Sequence, residues 1–297
     1  GDTAAAVSAV GMTNQPMFLG LSLIQALNVG GTAIIARYFG AKKYNRMGSI
    51  LKHVMILAMV FCVTPTAILM LIFAPEILSI LGGDATVINV GVDYFRIVTI
   101  GFIFQSLSFT VTAALRGIGE TKIPMKNNII ANSCNVLGNA ILIYGMFGFP
   151  ALGVTGAAIA TAASNLIAMV LNVRYILSGK SILKLDFKEK FEFRAEVMRD
   201  LVRIGIPTAL EQMALRFGVI MFLKIVSGLG NNVYAAHQIA LNVLSLSYSP
   251  AQAFGITASS LMGQSLGAKN EKLAERYTKM CQRIGLTLAI MMSASIY

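Results

Sequence analysis

The chain has 297 residues, 56% of them apolar and only 12% charged, with a mean hydropathy of +0.72 and a formal net charge of +11. Soluble domains carry about a quarter of their residues charged, so this composition excludes that class and points to a membrane protein. The charges cluster, which leaves about eight apolar stretches of roughly 20 or more residues, each long enough to cross a bilayer.

In chain order, spans are predicted over 8–36, 53–75, 89–114, 127–148, 152–177, 201–226, 233–265 and 280–297. Barrel strands would alternate apolar and polar residues, and these stretches do not, so helices are expected throughout. Basic residues sit in alternate connections. Arg37 to Lys52 follow the first span, Arg116 to Lys126 the third, Arg174 to Arg203 the fifth and Lys269 to Arg283 the seventh, together 21 of the 24 Lys and Arg. The other connections hold Glu76 and Asp84 or an uncharged turn at 145–150. The positive-inside rule makes the basic connections cytoplasmic. It also explains the net charge without nucleic acid, which would need a basic soluble face.

Part of the chain is written twice. Positions 19–42 and 246–269 align without gaps at an offset of 227, with Leu19/Leu246, Ser22/Ser249, Gln25/Gln252, Ala26/Ala253 and a shared Gly-Ala-Lys at 40–42 and 267–269. Six spans separate the copies, so both run in the same sense, as in transporters with parallel repeats about an axis along the membrane normal. The second copy is preceded by a span and the first is not. The chain therefore reads as a fragment of a twelve-span protein, short of one span before Gly1 and about three after Tyr297. The expected fold is an all-α polytopic membrane protein of two parallel-repeat six-helix lobes. Residues 1–178 would form the N-terminal lobe without its first helix, 179–199 an interlobe linker, and 200–297 the first part of the second lobe. Phe187, Phe191 and Met198 among charged residues suggest an amphipathic surface helix within 178–203.

Catalysis finds no support in the pattern. Cys62, Cys134 and Cys281 lack CxxC spacing and behave as small hydrophobes. His53 and His237 have no carboxylate at metal-ligand spacing, so no metal and no cofactor are expected. The chain reads as no enzyme.

Six motifs carry a further reading. They are Tyr94-Phe-Arg-Ile97, Leu115-Arg-Gly-Ile-Gly-Glu-Thr-Lys122, Gly153-Val-Thr-Gly-Ala-Ala158, Gly205-Ile-Pro-Thr-Ala-Leu-Glu211, Ala235-Ala-His-Gln-Ile-Ala-Leu-Asn242 and Gly263-Gln-Ser-Leu-Gly-Ala268. In this order they resemble the multidrug and toxic compound extrusion family, from its second helix to its ninth. The resemblance implies a twelve-helix exporter that expels organic cations in exchange for Na⁺ or H⁺.

Polar residues inside spans are where mechanism is expected, because they are costly there. Glu211 is the first candidate, with a pKa raised by burial in an apolar bundle. The alternative is a structural ion pair, with Arg216 five residues on or with Lys224 nearer the outer end. Asn132, Asn135 and Asn139 share one helical face and read either as interhelical hydrogen-bond glue or, through the resemblance, as part of a cation site. There Asn135-x-x-x-Asn139 matches a family pattern often written Asn-x-x-x-Asp, and Thr161 matches a nearby polar position. Gln25 and Gln252, equivalent in the repeat, could face one another across a central cavity, which Gln212 would also line. Asp93 and Arg96 read as a local ion pair or headgroup anchor. Pro250 should kink its helix, whereas Pro207 reads as a helix start.

The expected function is a secondary antiporter in the cell membrane. It would export small amphiphilic or cationic substrates for H⁺ or Na⁺, with the bilayer as its surroundings and no obligate protein partner. A flippase of lipid-linked oligosaccharides and a channel or membrane scaffold are the alternatives.

Overall fold

The computed structural model describes residues 2–148, 150–185, 193–227 and 231–296. Apart from one short 3₁₀ turn and one π-helical stretch, its regular structure is α-helix: α1 (Asp2–Gly40), α2 (Tyr44–Leu57), α3 (Thr64–Ile72), α4 (Ala74–Ile80), α5 (Ala85–Gly117), α6 (Lys122–Tyr144), α7 (Gly153–Leu177), α8 (Ala195–Ser227), α9 (Asn231–Gly267) and α10 (Glu271–Ile296). With α2 and α3 joined through the π-helix Ala58–Val63, each expected span has its helix. Ser8–Gly40, Tyr44–Ile72, Ala85–Gly117 and Gly153–Leu177 are apolar enough to be membrane spans by hydropathy alone. Helices α6, α8, α9 and α10 have the length and fall short of that measure among the described residues. In α6 the reason is visible: Lys122, Lys126 and five Asn occupy its 23 residues.

The repeat is preserved in the backbone. Lys42 and Lys269, offset by 227, are the only described non-glycine residues at positive φ, both at 58°. Each lies two residues before the next helix begins, at Tyr44 and Glu271, again 227 apart.

Two apolar centres hold the first bundle. Ile35, Met47, Leu51, Leu115 and Leu201 pack at its basic end, and Ile24, Val63, Leu78, Phe95 and Phe102 at the other. Because tails of lipid are as apolar as Leu, close packing and hydrogen bonds must bring such helices together. The polar contacts are concentrated between α5, α6 and α7. There Asn172, fully buried, accepts from Asn127 Nδ2 at 2.8 Å and donates to Ser108 Oγ at 2.9 Å.

Three expectations change. The segment 180–185 is irregular, not a surface helix: Leu183 and Leu185 insert into the basic-end core, and Ser181 Oγ donates to Glu120 at 2.9 Å. Phe187 and Phe191 lie outside the described residues, and Met198 belongs to α8. Helix α8 already begins at Ala195, so Pro207 lies inside it, not at its start. The charged turn Glu196–Arg203 continues the helix outward from the apolar stretch that marked the predicted boundary. Finally, Asp93 and Arg96 are exposed and form no ion pair, so of the two expected roles only the headgroup anchor stands open. Pro250 lies inside α9 as expected.

Candidate functional site

The two repeated helices touch at their basic ends, and they do so symmetrically. A Cβ on Gly40 would fall 1.8 Å from the Gln264 carbonyl oxygen, and one on Gly267 would fall 2.0 Å from that of Arg37. Gly40 corresponds to Gly267 and Arg37 to Gln264, so the two contacts are one contact seen twice. A Cβ on Gly263 would stand 2.8 Å from that of Ala36, its own equivalent, so the repeat axis passes between them. Only glycine permits backbones this close. Polar groups fasten the junction to α5: Ser260 Oγ donates to the Arg116 carbonyl at 2.7 Å, and Gln264 Nε2 to that of Gly117 at 2.8 Å.

Eleven residues is close to three helical turns, about 16 Å. Gln25 and Gln252 therefore lie on the same faces as Ala36 and Gly263, about 16 Å beyond the contact, and both are exposed. The two helices are thus held together at the basic end and bear Gln25 and Gln252, exposed, toward the other. Arg216 of α8 borders α1, its guanidinium 5.5 Å from the centre of the Phe18 ring.

That cation–π contact bears on the alternatives at Glu211, while the side chain of Lys224 lies outside the described residues. Arg216 is occupied by Phe18 and forms no ion pair with Glu211. The carboxylate is exposed, not buried as expected, and lines a groove of about 780 Å³ between α8 and α9 with Leu215, Phe222, His237 and Leu244. Gln212, the next residue, is half-buried. Phe222 meets the His237 ring edge-on at 5.3 Å. Eleven residues of α8 separate Glu211 from Phe222, so acid and imidazole stand about 16 Å apart at the two ends of an otherwise apolar groove. His237 Nε2 is buried without a hydrogen-bond partner. Sequence spacing could not reveal the contact of Phe222 with His237, because it joins residues 15 apart on different helices.

The second cluster lies between α6 and α7. Asn139 Nδ2 donates to Asn135 Oδ1 at 3.0 Å, and Asn135 Nδ2 reaches Thr161 Oγ1 and Ser164 Oγ, each at 3.4 Å. Ser164 in turn donates to the Thr161 carbonyl at 2.8 Å. Asn139 Oδ1 is buried and has no partner. The structure thus joins three candidates, adds Ser164, and leaves Asn132 apart and exposed. Ser164 was detectable as a residue three positions, one helical turn, from Thr161. A buried acceptor without a donor is uncommon, and here it lies among neutral oxygens suited to a small hard cation or a proton donor. No group of three or more His, Cys, Asp or Glu that could hold a metal occurs among the described residues.

A family model, MatE, matches residues 3–141 and 207–297, well over half of the chain. The chain belongs to the MatE family. This is a family of transporters and not of enzymes. Among curated relatives, "Probable multidrug resistance protein YoeA" of Bacillus subtilis (strain 168) is 30% identical over 89% of this chain and 57% of its own length. "Probable multidrug resistance protein NorM" of Thermotoga maritima is 29% identical over 90% and 57%. A crystal structure of MATE in complex with MaD5 superposes with a TM-score of 0.85 at 22% identity, over 98% of this chain and 64% of that one. An outward-facing multidrug resistance MATE transporter gives 0.83 at 21%, over 98% and 62%. These establish the MatE fold, and the chain spans somewhat under two thirds of each relative.

Proposed function

We propose that the protein exports small cationic amphiphiles by alternating access, in exchange for H⁺ or Na⁺, and that the basic end of the bundle is cytoplasmic. The observation that carries this reading is the repeat-related contact of α1 and α9. Two equivalent helices that meet at one end and carry exposed Gln25 and Gln252 toward the other can rock about their common axis, opening the space between them to each side in turn. The positive-inside rule favours a cytoplasmic position for the closed end, since 21 of 24 cations belong to connections on that side. The names of the relatives support drugs as the cargo.

Exchange requires that ion and substrate exclude each other, a coupling typically of about 1–3 kcal/mol. Glu211 can supply it: an acid at one end of a groove walled by apolar Leu215, Phe222 and Leu244 pairs with a cationic amphiphile, and a proton or Na⁺ cancels the charge the substrate needs. The Asn135–Asn139–Thr161–Ser164 cluster is the second place for the ion, with the free Asn139 carbonyl as its ligand.

The test is Glu211→Gln in the full-length protein. Proteoliposomes should lose ion-gradient-driven efflux of a fluorescent cation, while thermal stability stays within about 0.5 kcal/mol, because Arg216 does not depend on Glu211. Efflux that follows the imposed gradient as before would remove Glu211 from the coupling mechanism.

A further inference from the structure

We infer that the outward face of α10 binds an anionic phospholipid of the leaflet at the basic end of the bundle. Lys272, Arg276, Lys279 and Arg283 are all exposed. At 100° per residue their directions fall within an arc of about 60° over about 16 Å of helix. Ala274 and Cys281, on the opposite face, are the buried residues of α10. Lys279 pairs with Glu275, and Lys272, Arg276 and Arg283 have no acidic partner among the described residues. The cations line a shallow cavity of about 560 Å³ whose other walls are Met280, Ile284 and Glu275, the last held by Lys279.

One turn beyond Arg283 the same face changes character. Leu286 and Ile290 continue the stripe's direction and are each 60% exposed. A single helix face that is cationic for three turns and then aliphatic matches the order of a leaflet, phosphate first and acyl chain after. Charge complementarity selects the anionic lipids, each cation near such a surface contributing about 1 kcal/mol.

The repeat shows that the fold does not require this stripe. The equivalent positions on α2, at the same offset of 227, are Asn45, Ser49, Lys52 and Ile56. A single cation serves there, although α2 also follows a basic loop. The positive-inside rule governs how many cations lie near a span, not their alignment on one face.

Native mass spectrometry of the delipidated full-length transporter, titrated with phosphatidylglycerol or phosphatidylcholine, tests the inference. The protein should retain phosphatidylglycerol preferentially. Arg276→Gln with Arg283→Gln should weaken that binding by about 25-fold, fivefold per cation, whereas Lys122→Gln with Lys126→Gln on α6 should leave it unchanged. Inorganic phosphate in excess should not displace the lipid, because it lacks the chains that Leu286 and Ile290 meet. Equal retention of the two lipids, equal binding by the two double variants, or displacement by phosphate would each overturn the inference.

Discussion

Replacing Gly40 and Gly267 together by Ala should open the basic end. Each new Cβ would lie about 2 Å from a backbone carbonyl oxygen of the other helix, at 1.8 Å for Gln264 and 2.0 Å for Arg37. Backbone cannot swing aside as a side chain can, so α1 and α9 must separate by more than an ångström to restore ordinary contact. Overpacking of this kind costs about 1–3 kcal/mol. The separation also strains the Ser260 and Gln264 hydrogen bonds to α5, each contributing about 0.6 kcal/mol inside membranes. Alanine favours helix by about 1 kcal/mol per site over glycine, but it does so in open and closed forms alike and cancels from their ratio. The net shift of roughly 2–4 kcal/mol should raise the population open at the basic end by about 30-fold or more. Spin labels on exposed Arg46 and Lys272 would report it as a new, longer distance in the double variant. An unchanged distance distribution in a folded protein would refute the packing argument.

Two further outcomes follow from the polar clusters. Asn172→Ala removes the acceptor of Asn127 and the donor to Ser108 in a fully buried site, and should cost about 2–3 kcal/mol in thermal unfolding of the full-length protein. A loss below about 0.5 kcal/mol would show that the network carries no weight. Asn139→Asp sets a carboxylate oxygen against Asn135 Oδ1, which only a proton or a bound cation can relieve. The variant should therefore be most stable where that carboxyl carries a proton and lose stability as pH rises, with added Na⁺ restoring the loss if the cluster holds that ion. A melting temperature independent of both pH and Na⁺ would retire the cluster as an ion site.

Much of the architecture was legible because bilayer thickness leaves a coarse, periodic record. Apolar length located each long helix but not the short α4, and a modest repeat related α1 to α9. Less legible were features decided by packing between distant segments. Leu183 and Leu185 read as part of a polar connection, yet their burial against Met47 and Leu201 overrides the charged residues around them. Pro207 looked like a helix start because the charged turn before it resembled a loop. The π-helix at 58–63 has no compositional mark beyond the nearby Pro65. At the sites, Asn135, Asn139 and Thr161 were found by spacing and resemblance, whereas the freedom of Arg216 from Glu211 depends on Phe18, almost 200 residues away. The approach of His237 to the Glu211 groove likewise required two helices to be placed side by side.

The central claim is that the contact of α1 and α9 must open once per cycle. Ala36→Cys with Gly263→Cys in a full-length protein freed of Cys62, Cys134 and Cys281 tests it directly. The two Cβ positions lie 2.8 Å apart, and a slight easing to the usual ~3.8 Å would allow a disulfide. Oxidation should stop efflux of a cationic dye, and a reductant should restore it to the level of the unbridged protein. Undiminished efflux from fully bridged protein would contradict the account.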